Sequence, residues 1–326
     1  FLWASALAIP PLLFATPVLA VAAKNGKLQH ACIGVGGMGA HDLKNFMEHP
    51  NIDIVAICDV DSENLKRAAA LVPNARTYSD WRELLVKEKE NIQSVNVAIP
   101  DHNHFAVSYT AIKAGKHVYC QKPLCHDVAE VRVLTEAAVK AGVTTQLGTQ
   151  VASTSCDRVG VQLIKDRAIG KIKHVYLCSN RPGAIDEYRL VGPRPASATP
   201  VPTSLNWDLW LGTAPERPYA PAIYHPAKWR AWQDFGTGWS GDIGCHIFDA
   251  VWKGLGLKAP KSVVAEVQKK KKNAPERRKD TWPQGDHITW VFPGNDYTES
   301  NELTLEWFDG LFYPPEEIRA LYSKTD

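Results

Sequence analysis

The chain has 326 residues, 45% apolar and 22% charged, enough for two domains and a sizeable core. Its formal net charge is +2 and its isoelectric point about 8.1. Such a composition excludes a disordered chain, and the near-balanced charge argues against a nucleic-acid partner, which needs a clearly basic domain or stripe.

Residues 1–23, FLWASALAIPPLLFATPVLAVAA, are apolar and uncharged and end in small residues that suit signal-peptide cleavage. Prolines and the small-residue end argue against a permanent membrane helix. The stretch resembles the part of a twin-arginine export signal that follows the arginine pair. On that reading the protein is exported to the periplasm and keeps no stable membrane insertion after cleavage. Further residues are then expected upstream of Phe1. The competing expectation is a short buried or membrane-anchoring helix.

LQHACIGVG, residues 28–36, is a short apolar run ending in glycines, and AHDLKNFMEH follows with helical spacing. IDIVAICDV has the length and β-branched content of a buried strand. SENLKRAAALV predicts a helix capped by Ser62, and SDWRELL starts another. IQSVNVAIP predicts a strand, HFAVSYTAIKAG a helix closed by Gly115, and HVYC a strand. DVAEVRVLTEAAVKAG predicts a helix closed by Gly142, and VTTQLGTQ a strand. Strands alternating with helices over residues 28–148 predict an α/β domain with a parallel sheet covered on both faces.

The pattern changes beyond that point. DRVGVQLIKDRAIG predicts a helix and KIKHVYLCSN a strand, before a Pro- and Trp-rich stretch from 181 to 240. SGDIGCHIFD follows, in a helix expected to run to about Lys253. KSVVAEVQKK, DHITWVF and ELTLEWF alternate as antiparallel strands do. Residues 149–326 are thus expected to form an α+β substrate domain with a mostly antiparallel open sheet, continuing past Asp326. Lys269–Lys272 with Arg277, Arg278 and Lys279 reads as a solvated loop. There are seven cysteines and no CxxC pair. Cys32, Cys58, Cys120 and Cys178 read as small core residues, and no metal site is expected.

Four motifs carry chemistry. GVGGMG fits G-x-G-x-x-G with Gly34, Gly36 and Gly39, around Gly37 and Met38, after a strand and opening a helix. The first glycine permits the tight turn, the second lets a pyrophosphate approach the backbone, and the third allows close helix–strand packing. Asp59 ends the next strand, where an acid holds ribose hydroxyls and repels a 2′-phosphate. The combination predicts a Rossmann doubly wound sheet that binds NAD(H) rather than NADP(H). AIPDHNHF ends a strand at the carboxyl edge, where Pro100 and His102 are positioned to line the cofactor. CQKPL ends another there, with Gln121 beside Lys122, and Pro123 holds that lysine extended. Asp242 and His246 stand four residues apart and share one helix face.

Together these motifs resemble the Gfo/Idh/MocA oxidoreductases over residues 28 to about 320. The stretches LNWDLWLGTAPERPY and YHPAKWRAWQDFGTG are similar to those of its exported, sugar-oxidoreductase-like members. The resemblance implies that Asp242 and His246 are the family's D-x-x-x-H pair. There the histidine takes the proton from a substrate hydroxyl, while the aspartate and Lys122 bind and orient substrate. Gln121 departs from the family's usual Glu-Lys-Pro and alters the charge near the nicotinamide. Asn180, Arg181, Tyr224, His225, Trp229 and Arg230 are candidate substrate contacts. Of the tryptophans from Trp207 to Trp239, most are expected to pack rather than touch sugar.

The expected activity is transfer of hydride between a sugar, polyol or glycoside hydroxyl and nicotinamide, by a homodimer or homotetramer. Export would favour a tightly bound cofactor. Two rivals share the fold: an NAD-dependent redox-cycling glycoside hydrolase, and a non-catalytic sugar- or cofactor-binding protein.

Overall fold

The computed structural model describes residues 26–179, 199–226, 228–267, 280–283, 285–310 and 312–322. The export-signal stretch, the basic run 269–272 and the candidate contacts Asn180 and Arg181 lie outside the described residues.

The first sheet has six parallel strands in the order β3-β2-β1-β4-β5-β6. They are β1 (Leu28–Ile33), β2 (Ile52–Cys58), β3 (Arg76–Tyr78), β4 (Ser94–Val97), β5 (His117–Gln121) and β6 (Thr145–Gly148). Helices α1 (Gly37–Glu48), α2 (Ser62–Leu71), α3 (Trp81–Lys87), α4 (His104–Lys113) and α5 (Val128–Ala141) connect them. This is the doubly wound order, with its switch point between β1 and β4. The strand β1 shows why the sheet is a middle layer. Ala31 and Ile33 pack into one apolar cluster with Val95, Val97, Val107 and Ala111, while Cys32 packs into the opposite one with Val35, Leu43 and Ile57. Alternate side chains therefore bury on both faces, and each full burial of an aliphatic side chain contributes about 1.5–3 kcal/mol.

Local chemistry sets the helix ends. Asp61, one residue before the expected Ser62, caps α2 by accepting from Glu63 N at 3.0 Å. Its carboxylate reaches the N2 amide, which the Ser62 hydroxyl, already inside the first turn, does not. Asp127 caps α5, and Gly142 closes it in the left-handed conformation with φ 65°.

Helix α6 (Ser155–Lys165) leads into a second sheet of order β7-β10-β9-β8. Its strands are β7 (His174–Ser179), β8 (Ser262–Val267), β9 (Asp286–Pro293) and β10 (Glu302–Asp309). The pairs β8–β9 and β9–β10 are antiparallel, and β10–β7 is parallel. Between β7 and β8 come the short helix α7 (Trp207–Leu211) and the long α8 (Gly238–Leu255). Ile243, Ile247, Phe248 and Val251 of α8 pack on Leu303, Leu305 and Trp307 of β10. Along α8 this leaves a second stripe, bearing Asp242 and His246, free of that core. Cys178 is exposed, because β7 turns it to the face that α8 does not cover.

Candidate active site

Strand register brings four loops to one level. Ile33 pairs laterally with Cys58 and Val97, and Val97 with Cys120. The residues next along these strands, Gly34, Asp59, Ala98 and Gln121, therefore share the carboxyl edge at the switch point, where open α/β sheets bind ligands. A cavity of about 530 Å³ opens there. It is lined by Gly34, Gly36, Gly37, Met38, Asp59, Pro100, Gln121 and Lys122 from the first sheet, and by Trp229 and Arg230 from the second half of the chain.

The glycine loop is carved to fit. Gly34 has φ 83°, and a Cβ there would stand 2.3 Å from the Ala98 carbonyl oxygen. A Cβ on Gly39 would meet the Gly34 oxygen at 2.1 Å, so this glycine closes the helix onto the strand and does not line the cavity. Gly36 caps α1 without a side-chain bond, and no acid stands in the first turn. The free N–H groups and the positive end of the helix dipole therefore face the cavity unopposed. Asp59 is fixed beside them: Oδ2 accepts from Val35 N and Oδ1 from Asp61 N, both at 2.9 Å. Burial raises its pKa, and these hydrogen bonds oppose the shift. A second hollow of about 470 Å³ continues past Asp59 and Val60, between Ser62, Ser79, Ser204 and Asn206. Its outer wall is tied on by Ser62 N to Ser204 O at 2.8 Å and Asn206 N to Val60 O at 2.9 Å. Glycines that admit close approach, donors aimed at an anion and an acid placed for ribose hydroxyls together fit a dinucleotide.

At the other end of the cavity the two halves of the chain meet. The Lys122 ammonium donates to Asp242 Oδ1 at 2.5 Å and to the Asp242 carbonyl at 2.8 Å. Arg230 Nε lies 3.3 Å from the same Oδ1, and its guanidinium stacks over Trp229 at 4.3 Å. The Lys122–Pro123 peptide is cis. Asp242 is buried and His246 half-buried, one turn along α8. Neither lines the cavity itself; Lys122 and Arg230 link it to Asp242. His246 Nδ1 is sealed from solvent and finds no hydrogen-bond partner among the described residues. That leaves Nε2 as the nitrogen through which the imidazole can meet a hydroxyl. Burial lowers the His246 pKa, and the Lys122 charge lowers it further against the pull of Asp242 and Asp249. The ring is therefore neutral at neutral pH and able to accept a proton.

Asp101, absent from the sequence expectations, joins this group. It accepts from Thr237 Oγ1 at 3.2 Å and feels Asp242, Arg230 and Lys122. Burial pushes its pKa from 3.8 up to about 7. The folded state thus holds a proton that the unfolded state loses, and stability falls as pH rises through that window. In Asp101→Asn this fall is missing. Thermal midpoints measured from pH 4 to 8 should show the variant gaining on the parent up to about pH 7, then running parallel to it.

Two expected contacts are elsewhere. His102 turns away from the cavity: Nε2 lies 3.0 Å from the Leu211 carbonyl and 3.3 Å from that of Trp210, and the ring packs on Phe235. Burial lowers its pKa to about 4, so it is a neutral anchor for the Trp-rich segment. Tyr224 is 1% exposed inside the cluster of Trp207, Trp232 and Phe235, because a ring walled in by rings gains more from packing than from solvent. His225, next to it, does line the cavity and lies 3.5 Å from Asp61. Asn64, Arg67 and Trp81 also line it; they stand on α2 and at the start of α3, where nothing in the local sequence marks them.

Comparisons with known proteins identify the family. The oxidoreductase family Gfo/Idh/MocA, NAD-binding Rossmann fold, matches residues 28–149, and the family's C-terminal alpha/beta domain matches residues 154–315. The D-apiose dehydrogenase of Paraburkholderia graminis is 31% identical over 117 residues, which are 36% of this chain and 31% of that protein. The levoglucosan dehydrogenase of Pseudarthrobacter phenanthrenivorans is 28% identical over 43% of this chain and 37% of its own length. The chain thus spans about a third of the length of the curated relatives it matches. The WlbA dehydrogenase of Bordetella pertussis, solved with NADH and UDP-GlcNAcA, shares the fold with a TM-score of 0.63 at 18% identity, over 88% of this chain and 72% of that one. The chain belongs to the Gfo/Idh/MocA oxidoreductase family, built as an NAD-binding Rossmann sheet followed by the family's C-terminal α/β domain.

Proposed function

We propose that the protein is an NAD(H)-dependent oxidoreductase acting on a hydroxyl of a sugar, polyol or glycoside. The observation that carries this reading is the Lys122–Asp242 ion pair, which joins the glycine-loop cavity to the helix face bearing His246. Bound nicotinamide supplies the hydride acceptor and donor. Everything else is done by side chains. His246 Nε2, neutral at working pH, takes the hydroxyl proton as the carbinol carbon is oxidised. Lys122 and Arg230 bring two cations to the same oxygen of Asp242, and cations held there favour negative charge developing on the substrate oxygen. Asp242 holds Lys122 and Arg230 on a common point and so fixes where that oxygen sits. Trp229, buried in the aromatic cluster with its ring under Arg230, holds that guanidinium at the cavity wall.

The relatives named above are dehydrogenases of sugars or anhydrosugars by their names, which favours net oxidation over redox-cycling hydrolysis. The two part cleanly in one assay. With NAD+ and a panel of sugars and chromogenic glycosides, a dehydrogenase forms NADH in step with a carbonyl product. A redox-cycling hydrolase releases the chromophore with no NADH accumulating.

Asp59 sets cofactor choice in this reading. A ribose hydroxyl can donate to this carboxylate, which already accepts from Val35 N, Asp61 N and Asn64 Nδ2, and its charge repels a 2′-phosphate. Asp59→Ala should weaken NAD+ binding about tenfold to a hundredfold, the worth of hydrogen bonds to a charged group, while NADP+ binding improves or holds. Isothermal titration of both cofactors checks it; an unchanged NAD+ affinity would remove Asp59 from the cofactor site. Export to the periplasm, a tightly held cofactor and assembly as a homodimer or homotetramer remain part of the proposal, motivated by the N-terminal sequence and the family resemblance.

A further inference from the structure

One buried acid has no task in the reading above. Asp42 lies on α1, just past the glycine loop, and is 5% exposed. Its Oδ2 accepts from Gln121 Nε2 at 2.8 Å and from Asn96 Nδ2 at 3.4 Å. Gln121 is held from the other side too, its Oε1 accepting from Gln150 Nε2 at 3.0 Å. Gly148 presses on the same amide: a Cβ there would stand 3.0 Å from Gln121 Cδ. Turning the Gln121 amide over would set its oxygen on a carboxylate and its NH2 against the NH2 of Gln150. Its orientation is therefore dictated by the charge on Asp42.

Gln121 lines the cavity and immediately precedes Lys122. The chain Asn96–Asp42–Gln121–Gln150 thus fixes the backbone from which the Lys122 ammonium reaches Asp242. We propose that Asp42 and Gln121 are a charge-coupled positioning pair, in which Asp42 supplies a buried negative charge beneath the site and obliges position 121 to be a hydrogen-bond donor. The pairing gives a physical reason for glutamine here. A glutamate would bring two carboxylates within hydrogen-bond distance, and one of them would have to hold a proton.

Burial raises the Asp42 pKa, and the hydrogen bonds from Gln121 and Asn96 oppose that shift. The other titratable groups that act with Asp42 are Cys32 on β1, Tyr119 on β5 and His41 on α1. Burial raises the thiol and the phenol, so both stay neutral through the acid and neutral range.

The test is a swap in the full chain: Gln121→Glu, Asp42→Asn, and the two together. Thermal midpoint and NAD+ affinity are measured from pH 5 to 8. In Gln121→Glu a shared proton restores the bond at low pH and is lost as pH rises. That variant should therefore fall away from the parent with rising pH, in stability and by about tenfold in NAD+ affinity at the upper end. The double variant exchanges donor and acceptor and should return to within about threefold of the parent across the range. A Gln121→Glu protein that matches the parent at every pH overturns the pairing, and so does a double variant no better than Gln121→Glu. The functional half rests on the cofactor reading. If the parent itself binds no NAD+, that reading fails, and the pH-dependent loss and rescue of stability still decides the pairing.

Discussion

Replacing His246 with alanine should lower turnover by roughly 10²–10⁴-fold and leave NAD+ affinity within about twofold of the parent. The split follows from where the side chain stands. His246 lies on α8 beyond the Lys122–Asp242 bridge and does not line the dinucleotide cavity, so its removal takes nothing from the cofactor. It does take the neutral base that this face presents. Burial and the Lys122 charge hold the ring's pKa below 6.5. The parent's rate should thus persist as pH falls toward that value and drop only below it, as the imidazole takes up a proton. The alanine variant should lack that acid limb. Steady-state rates across pH, with cofactor titrations beside them, read both effects. A variant that loses NAD+ binding along with turnover would make His246 a structural residue.

Gly34→Ala should be equally severe for a different reason. The added Cβ would meet a backbone carbonyl, Ala98 O at 2.3 Å, at a position whose φ of 83° already disfavours any side chain. That carbonyl is backbone and cannot swing aside, so β1 and β4 must separate at the switch point. NAD+ affinity should fall by at least about a hundredfold, as backbone donors lose their distance to the phosphates, and the melting temperature should drop with it. Gly37→Ala is the control. Its φ is 48°, yet nothing lies within 4 Å of the new atom, so only the left-handed strain of about 1–2 kcal/mol remains. Similar losses at the two positions would mean that close approach is not what the loop provides.

These two residues also show what could be read from the chain. Gly34 sits in a spaced motif whose physics is local, so motif, strand and helix together mark its place in the chain. Asp242 and His246 were legible as a pair because helical periodicity is local too. What local pattern cannot supply is the partner from far away. The contact of Lys122 with Asp242 spans 120 residues, and that of Gln121 with Asp42 spans 79. Neither spacing has a signature. Asp101 was overlooked for the same reason: its burial comes from elements distant in sequence. His102 and Tyr224 misled in the opposite direction. Polar tips at a carboxyl edge or beside a tryptophan run suggest ligand contact, yet the Trp-rich segment folds onto His102 and closes around Tyr224. The caps were readable to within a residue, as Asp61 in place of Ser62 shows.

The central claim is that the Lys122–Asp242–His246 face works on a hydroxyl at the cofactor bound by the glycine loop. Its most direct measurement is the nicotinamide absorbance of the purified full-length protein mixed with NAD+ and each of a panel of sugars, polyols and methyl glycosides, run in parallel with His246→Ala. The account predicts that at least one compound reduces NAD+ in the parent, and that the variant binds NAD+ but leaves it oxidised. NAD+ that binds yet is reduced by no compound, or a variant that reduces it at the parent's rate, would contradict the account.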